Sequence, residues 1–191
     1  MSKGRLEAFS DGVLAIIITI MVLELRPPEG DGLEVLAPLI PKLISYALSF
    51  IFIGIYWNNH HHLLQAIKHV DGRVLWANMA LLFWLSLVPF VTGWMGENNF
   101  ARTPVALYGV VLLMAGSAFR LLVRSLILLH GEASLLATAV GRDVKGWSSL
   151  VIYAAAIALA FLSPGLAFAL YVLVAVIWFI PDRRIEKTIA R

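Results

Sequence analysis

The chain has 191 residues, 60% of them hydrophobic and 14% charged, with a mean hydropathy of +0.85 and a net charge of +3. A soluble globular domain is nearer half apolar and a quarter charged, so this is the composition of a membrane protein, and no polar stretch is long enough for a separate water-soluble domain. The lack of cysteine excludes disulfides, Cys-zinc sites and thiol catalysis.

A spanning helix needs roughly 20 mostly apolar residues, and six segments qualify. The first runs from about Leu6 to Leu25 and stops at Pro27-Pro28. Its start lacks the basic n-region and small-residue cleavage pattern of a signal peptide, so it is expected to be retained. The second runs from about Pro38 to Leu64 and the third from about Val74 to Trp94, with Pro89 expected to bend it. The fourth starts at Thr103-Pro104, read as an N-cap followed by proline at the first helical position, and continues to about Leu129. The loop from His130 to Gly146 contains "EASLLATAV", read as a short surface helix. The fifth span runs from about Trp147 to Leu162 and the sixth from about Leu166 to Ile180, joined by the turn Ser163-Pro164-Gly165 and ended by Pro181. The whole chain, 1–191, reads as one all-α membrane domain with no internal duplication.

Six spans put both termini on one side, and the basic residues decide which. Twelve of the fifteen Lys and Arg lie on the side of the termini; only Arg26, Lys42 and Arg102 lie on the other. Both termini are therefore expected in the cytoplasm. The basic balance is this membrane bias, and no basic stripe with interleaved aromatics suggests nucleic acid. Arg120 and Arg124 are read as snorkelling to headgroups or binding lipid phosphate. Trp57, Trp76, Trp94, Trp147 and Trp178 are read as an interfacial belt.

Depth singles out a polar layer. Asp11 lies 14 residues before Leu25, about 21 Å below the far end of its helix. The second span ends "YWNNHHHLL" and the third begins "RVLWANMALL", which brings His60, His61, His62 and Asn78 to the same layer. Embedded ionisable residues face the protein interior and find partners, so a cluster of Ser10, Asp11, one or more histidines and Asn78 is expected. The three histidines point about 100° apart on one helix and cannot converge on one ion, so a structural cluster is preferred to a metal site. A proton relay stays open. On the first helix Gly12, Ile16, Thr19 and Leu23 share one stripe, flanked by Ile20 and continued by Arg5 and Ala8. By periodicity alone this is an ordinary packing face.

Three motifs go further. "RLEAFSDG" resembles the Arg-x-x-x-Phe-Ser-Asp signature of the transmembrane protein 175 family, through Arg5, Phe9, Ser10 and Asp11. "WNNHHHLL" resembles that family's Trp-x-x-His-His pattern, through Trp57, His60 and His61, and "NMALLFWLSLVPFVT" resembles its third helix. The resemblance implies a potassium-permeable cation channel and not an enzyme, assembled as a homotetramer in the plasma membrane, without a re-entrant filter loop and without a cofactor beyond the permeant potassium. It implies that the first helix lines the pore, with Ile16 as the hydrophobic constriction, Leu23 as a further apolar ring and Thr19 as a ring of hydroxyls. The motif residues would hold that helix in place. The alternatives are a proton-permeable or pH-gated cation channel, and a metal-dependent membrane enzyme using Asp11 and the histidines.

Overall fold

The computed structural model describes residues 2–131, 134–141 and 143–179. Every regular element among the described residues is helical. α1 spans Lys3–Leu23; a 3-10 segment, Leu33–Leu39, leads into α2, Ile40–Gln65; α3 is Gly72–Ser86, α4 Val88–Glu97, α5 Arg102–His130, α6 Leu135–Val140, α7 Val144–Ala160 and α8 Pro164–Phe179. Four helical segments are long and apolar enough to cross a membrane: α1, the 3-10 segment with α2, α3 with α4, and α5. Two shorter apolar helices, α7 and α8, follow.

The third apolar run is interrupted next to Pro89. Pro89 has no N–H to give to Leu85, so the helix stops at Ser86 and restarts at Val88, with Leu87 between them and Pro89 in the new first turn. The fourth run begins earlier than expected. Ala101, in extended backbone, is the N-cap, and Thr103 already lies inside the helix. Pro104 costs nothing there, because the first-turn N–H groups have no acceptor in the helix.

α7 also starts early, at Val144. Asp143 caps it, its carboxylate accepting from Gly146 N at 3.0 Å. α8 starts at Pro164, whose fixed φ suits a first helical position. The short surface helix is shorter than its expected stretch and is capped by Ser134, which accepts from Ala137 N at 3.2 Å. Ile180 and Pro181, expected to close the last span, lie outside the described residues, as do Arg142 and the C-terminal basic residues.

α5 forms the spine. It packs on α3, α4, α7 and α8, while α1 packs mainly on α2, α3 and α4. Gly109 of α5 lies against the Tyr171 hydroxyl of α8, and any side chain there would collide with it. Gly96 gives a second close approach, of α4 to Lys42 and Ser45 of α2.

Candidate functional site: the first helix and its polar anchors

α1 divides cleanly into two faces. Leu6, Ser10, Leu14, Ile17 and Met21 recur at helical spacing and are buried against the rest of the protomer. On the other side Arg5, Ala8, Gly12 and Thr19 are exposed, with Ile16 at 59%, Leu23 at 73% and Ile20 at 42% exposure. Every residue of the stripe is therefore exposed in its own protomer. Thr19 Oγ1 donates to Ala15 O at 2.8 Å, which leaves its oxygen able to accept. Phe9 of the motif is also exposed, at 49%.

The buried face is anchored by a chain of polar contacts. Ser10 Oγ donates to Leu6 O at 2.9 Å; Asn78 Nδ2 donates to Ser10 Oγ at 3.0 Å; Asn78 Oδ1 lies 2.7 Å from His60 Nε2. Because the amide oxygen can only accept, His60 donates through Nε2, and the network assigns it that tautomer. All three side chains are buried, so α1, α2 and α3 are tied together where water does not compete. His60 Nδ1, also buried, has no hydrogen-bond partner among the described residues.

Asp11 stands outside this chain. Its partner is Trp57, whose Nε1 donates to Asp11 Oδ1 at 3.1 Å. The expected cluster of Asp11 with a histidine is thus corrected: Asp11 lies round the helix from Ser10, on the side that α2 presents with Trp57. Trp57 is accordingly a partner of the motif carboxylate as well as a residue near a helix end. No ion pair joins Arg5 to Asp11 among the described residues.

The three histidines part company. His60 reaches Asn78. His61 lies 3.2 Å from Glu7 of α1, accepts from the Gln65 amide at 2.8 Å and stacks on Trp57 at 5.9 Å. His62 is half-buried beside His61, the rings 5.8 Å apart. Among the described residues no group of three or more His, Cys, Asp or Glu could hold a metal.

Two further polar groupings escaped the sequence reading. Ser49 bridges Thr92, at 2.7 Å, and the Tyr108 hydroxyl, at 3.0 Å, tying α2, α4 and α5 in the other half of the bundle. Lone hydroxyls in three apolar runs at one depth were the available signal. Arg120 is ion-paired with Asp143 and lies 4.3 Å above the Trp147 ring. It is therefore a latch between α5 and the start of α7, not a snorkelling residue; Arg124, one turn on, is exposed.

Beside the stripe runs an open apolar groove of about 590 Å³ between α1 and α4. Val13, Ile16 and Ile20 form one wall and Pro89 and Phe90 the other. Glu24 sits at its far end, its carboxylate over Gly93.

Residues 5–89 match the family model described as endosomal/lysosomal potassium channel TMEM175. A potassium channel of Chryseobacterium sp. (strain P1-3) is 53% identical over 189 residues, which is 99% of this chain and 98% of that one. The chain belongs to the TMEM175 family. The human endosomal/lysosomal proton channel TMEM175 is 32% identical across 85% of this chain, which spans only 36% of that longer protein. The crystal structure of a lysosomal potassium-selective channel TMEM175 homolog from Chamaesiphon minutus superposes with a TM-score of 0.80 at 28% identity, covering 94% of this chain and 97% of that one. Membership in this channel family, with several apolar helices, makes the chain a multi-pass membrane protein and points away from enzyme chemistry.

Proposed function

We propose that the protein is a homotetrameric, potassium-permeable cation channel of the plasma membrane, with six spans and both termini in the cytoplasm. The face of α1 turned away from its own protomer carries the reading. One helix cannot surround a pore, but four copies of an exposed stripe around a symmetry axis can. Ile16 would set the constriction, Leu23 a further apolar ring, and Gly12 and Thr19 a polar and less crowded stretch. Thr19 suits a cation because its proton is given to Ala15 O, so its oxygen keeps its lone pairs for an ion. The buried Ser10–Asn78–His60 chain and the Asp11–Trp57 bond would set the orientation of α1 without touching the ion. An apolar ring passes ions by wetting and drying and lacks a carbonyl filter, so selectivity for potassium over sodium should be modest.

The named relatives support the reading, since the Chryseobacterium, Streptomyces collinus and Chamaesiphon minutus proteins are called potassium channels. The test is potassium-driven flux into liposomes holding the purified protein. Ile16→Asn should raise it by widening and wetting the constriction. No flux from the parent protein, with Ile16→Asn equally silent, would remove the proposal. A second reading, proton permeation, is favoured by the vertebrate relatives being named proton channels. A reversal potential that follows the pH gradient at fixed potassium would select it.

A further inference from the structure

The turn that follows α2, residues 66–71, is held from two directions. Lys3, the first residue of α1, donates through Nζ to Ile67 O at 3.2 Å. His130, the last residue of α5, accepts the Lys68 backbone N–H on its Nε2 at 3.3 Å. Its other ring nitrogen, Nδ1, lies 3.0 Å from Leu126 O. A carbonyl can only accept, so Nδ1 carries the proton and Nε2 is bare. Both nitrogens are in use, and only the neutral ring can use them in this way. Between the two ties Ile67 is buried, at 3% exposure.

We infer that His130 is an acid-released clasp: a proton taken up on Nε2 frees the turn from α5 and, through Lys3, slackens the first turn of α1. The effect on flux rests on the channel reading above; the clasp itself does not, and it involves neither proton permeation nor His60, His61 and His62. A protonated Nε2 would aim its N–H at the Lys68 N–H, donor against donor. Histidine changes charge between pH 5 and 8, and the switch falls in that window. The surroundings give the cation no new partner. From the turn, the His69 ring packs 4.7 Å from the His130 ring, where a second imidazolium would repel the first. The Lys68 side chain is exposed in the same turn, and the Asp71 carboxylate is engaged as the cap of α3, accepting from Val74 N at 2.9 Å. α1 brings Lys3, α3 brings the exposed Arg73, and α5 itself carries the exposed Arg124. Among the described residues no carboxylate pairs with His130. The carbonyls that end α5 favour a cation, so the proton displaces the turn and not the helix.

The other imidazole contact on α1 responds to acid with the opposite sign. His61 lies 3.2 Å from Glu7, and its protonation strengthens that pair. Acid therefore tightens α1 against α2 at Glu7 while it loosens the turn that holds Lys3. A change confined to position 130 separates the two responses.

The chain has no cysteine, so a thiol placed at the buried Ile67 reports how often the turn opens. The test is the maleimide labelling rate of purified Ile67→Cys, divided at each pH by that of Ser2→Cys, an exposed position. The division removes the common effect of pH on thiol reactivity. The ratio should rise at least fivefold from pH 7.5 to pH 5.5. With His130→Gln added, whose amide oxygen accepts at every pH, it should stay within twofold across that range. With His130→Ala, which offers no acceptor, it should already be high at pH 7.5. A flat ratio with His130 present, an equal rise with His130→Gln, or a low ratio with His130→Ala at pH 7.5 would overturn the clasp. In liposomes with pH set on the side of the termini, potassium flux through the parent and through His130→Gln should agree at pH 7.5 and differ at least twofold at pH 5.5. Equal flux at both values would overturn the step from the turn to α1. No flux from either protein at either pH would remove the channel reading and leave the clasp to stand on the labelling.

Discussion

Removing the Asn78 amide should loosen α1 more than any other single polar change near the motif. Asn78→Ala deletes two buried contacts, to Ser10 Oγ at 3.0 Å and to His60 Nε2 at 2.7 Å. Interhelical hydrogen bonds in membrane proteins average about 0.6 kcal/mol, so the two account for about 1.2 kcal/mol. The larger cost is the stranded partner. His60 Nδ1 already has no partner among the described residues, and the substitution leaves both ring nitrogens unmatched. A buried unmatched group costs about 1–3 kcal/mol, which brings the total to about 2–4 kcal/mol. For a chain of this size each kcal/mol moves the midpoint by about 2–4 °C, so the apparent Tm should fall by roughly 5–15 °C. The assay is the loss of the intact species by size-exclusion chromatography after heating in detergent. Asn78→Asp, which keeps an acceptor for His60, should lose less than Asn78→Ala. Ser10→Ala combined with Asn78→Ala should lose less than the sum of the two, because Ser10 and Asn78 share one bond. A shift below 2 °C for Asn78→Ala, or strict additivity of the pair, would refute the idea that this chain of bonds holds α1 in place.

The other expectations concern separate contacts. Asp143→Ala should cost about 1 kcal/mol for the lost cap together with the Arg120 pairing, whereas Asp143→Asn should retain the cap and lose only the pairing; apparent Tm values that do not separate the two would contradict the double role. Gly96→Val should destabilise by about 1–3 kcal/mol through overpacking, because even its first side-chain carbon would lie 2.8 Å from Lys42 Cα; an unchanged Tm would show that α2 and α4 can part without cost. Trp57→Phe should leave stability within about 0.5 kcal/mol, since a half-exposed bond contributes little, and thermal unfolding with that variant beside Asp11→Asn would check it.

Much of this was legible in the chain. The apolar runs gave the long helices, and Pro89 marked where one of them fails. The depth argument brought Ser10, His60 and Asn78 to one layer because position along a helix follows from counting residues. What counting leaves open is rotation. Asp11 and Ser10 are neighbours in sequence but point about 100° apart, so one enters the interior and the other meets Trp57. Histidine looked the better partner for a carboxylate, and the indole N–H is as good a donor. Arg120 was misread for a related reason. Its partner Asp143 lies in a loop, where no periodicity says which helix end the chain will return to. The Ser49–Thr92–Tyr108 bridge joins three elements whose contact depends on packing angles, which the sequence pattern does not encode.

Because the stripe of α1 is largely exposed in its own protomer, apolar substitutions at its outermost positions carry little folding penalty in a single chain. A protomer with Ile16 or Leu23 replaced by another apolar residue should insert and persist as well as the parent, with lipid against the face that the ring later covers. Changes at Ser10 or Asn78 have no such freedom. The helix thus separates two kinds of inheritance: one face drifts under selection for what passes through the assembly, and the other is fixed by the need to fold.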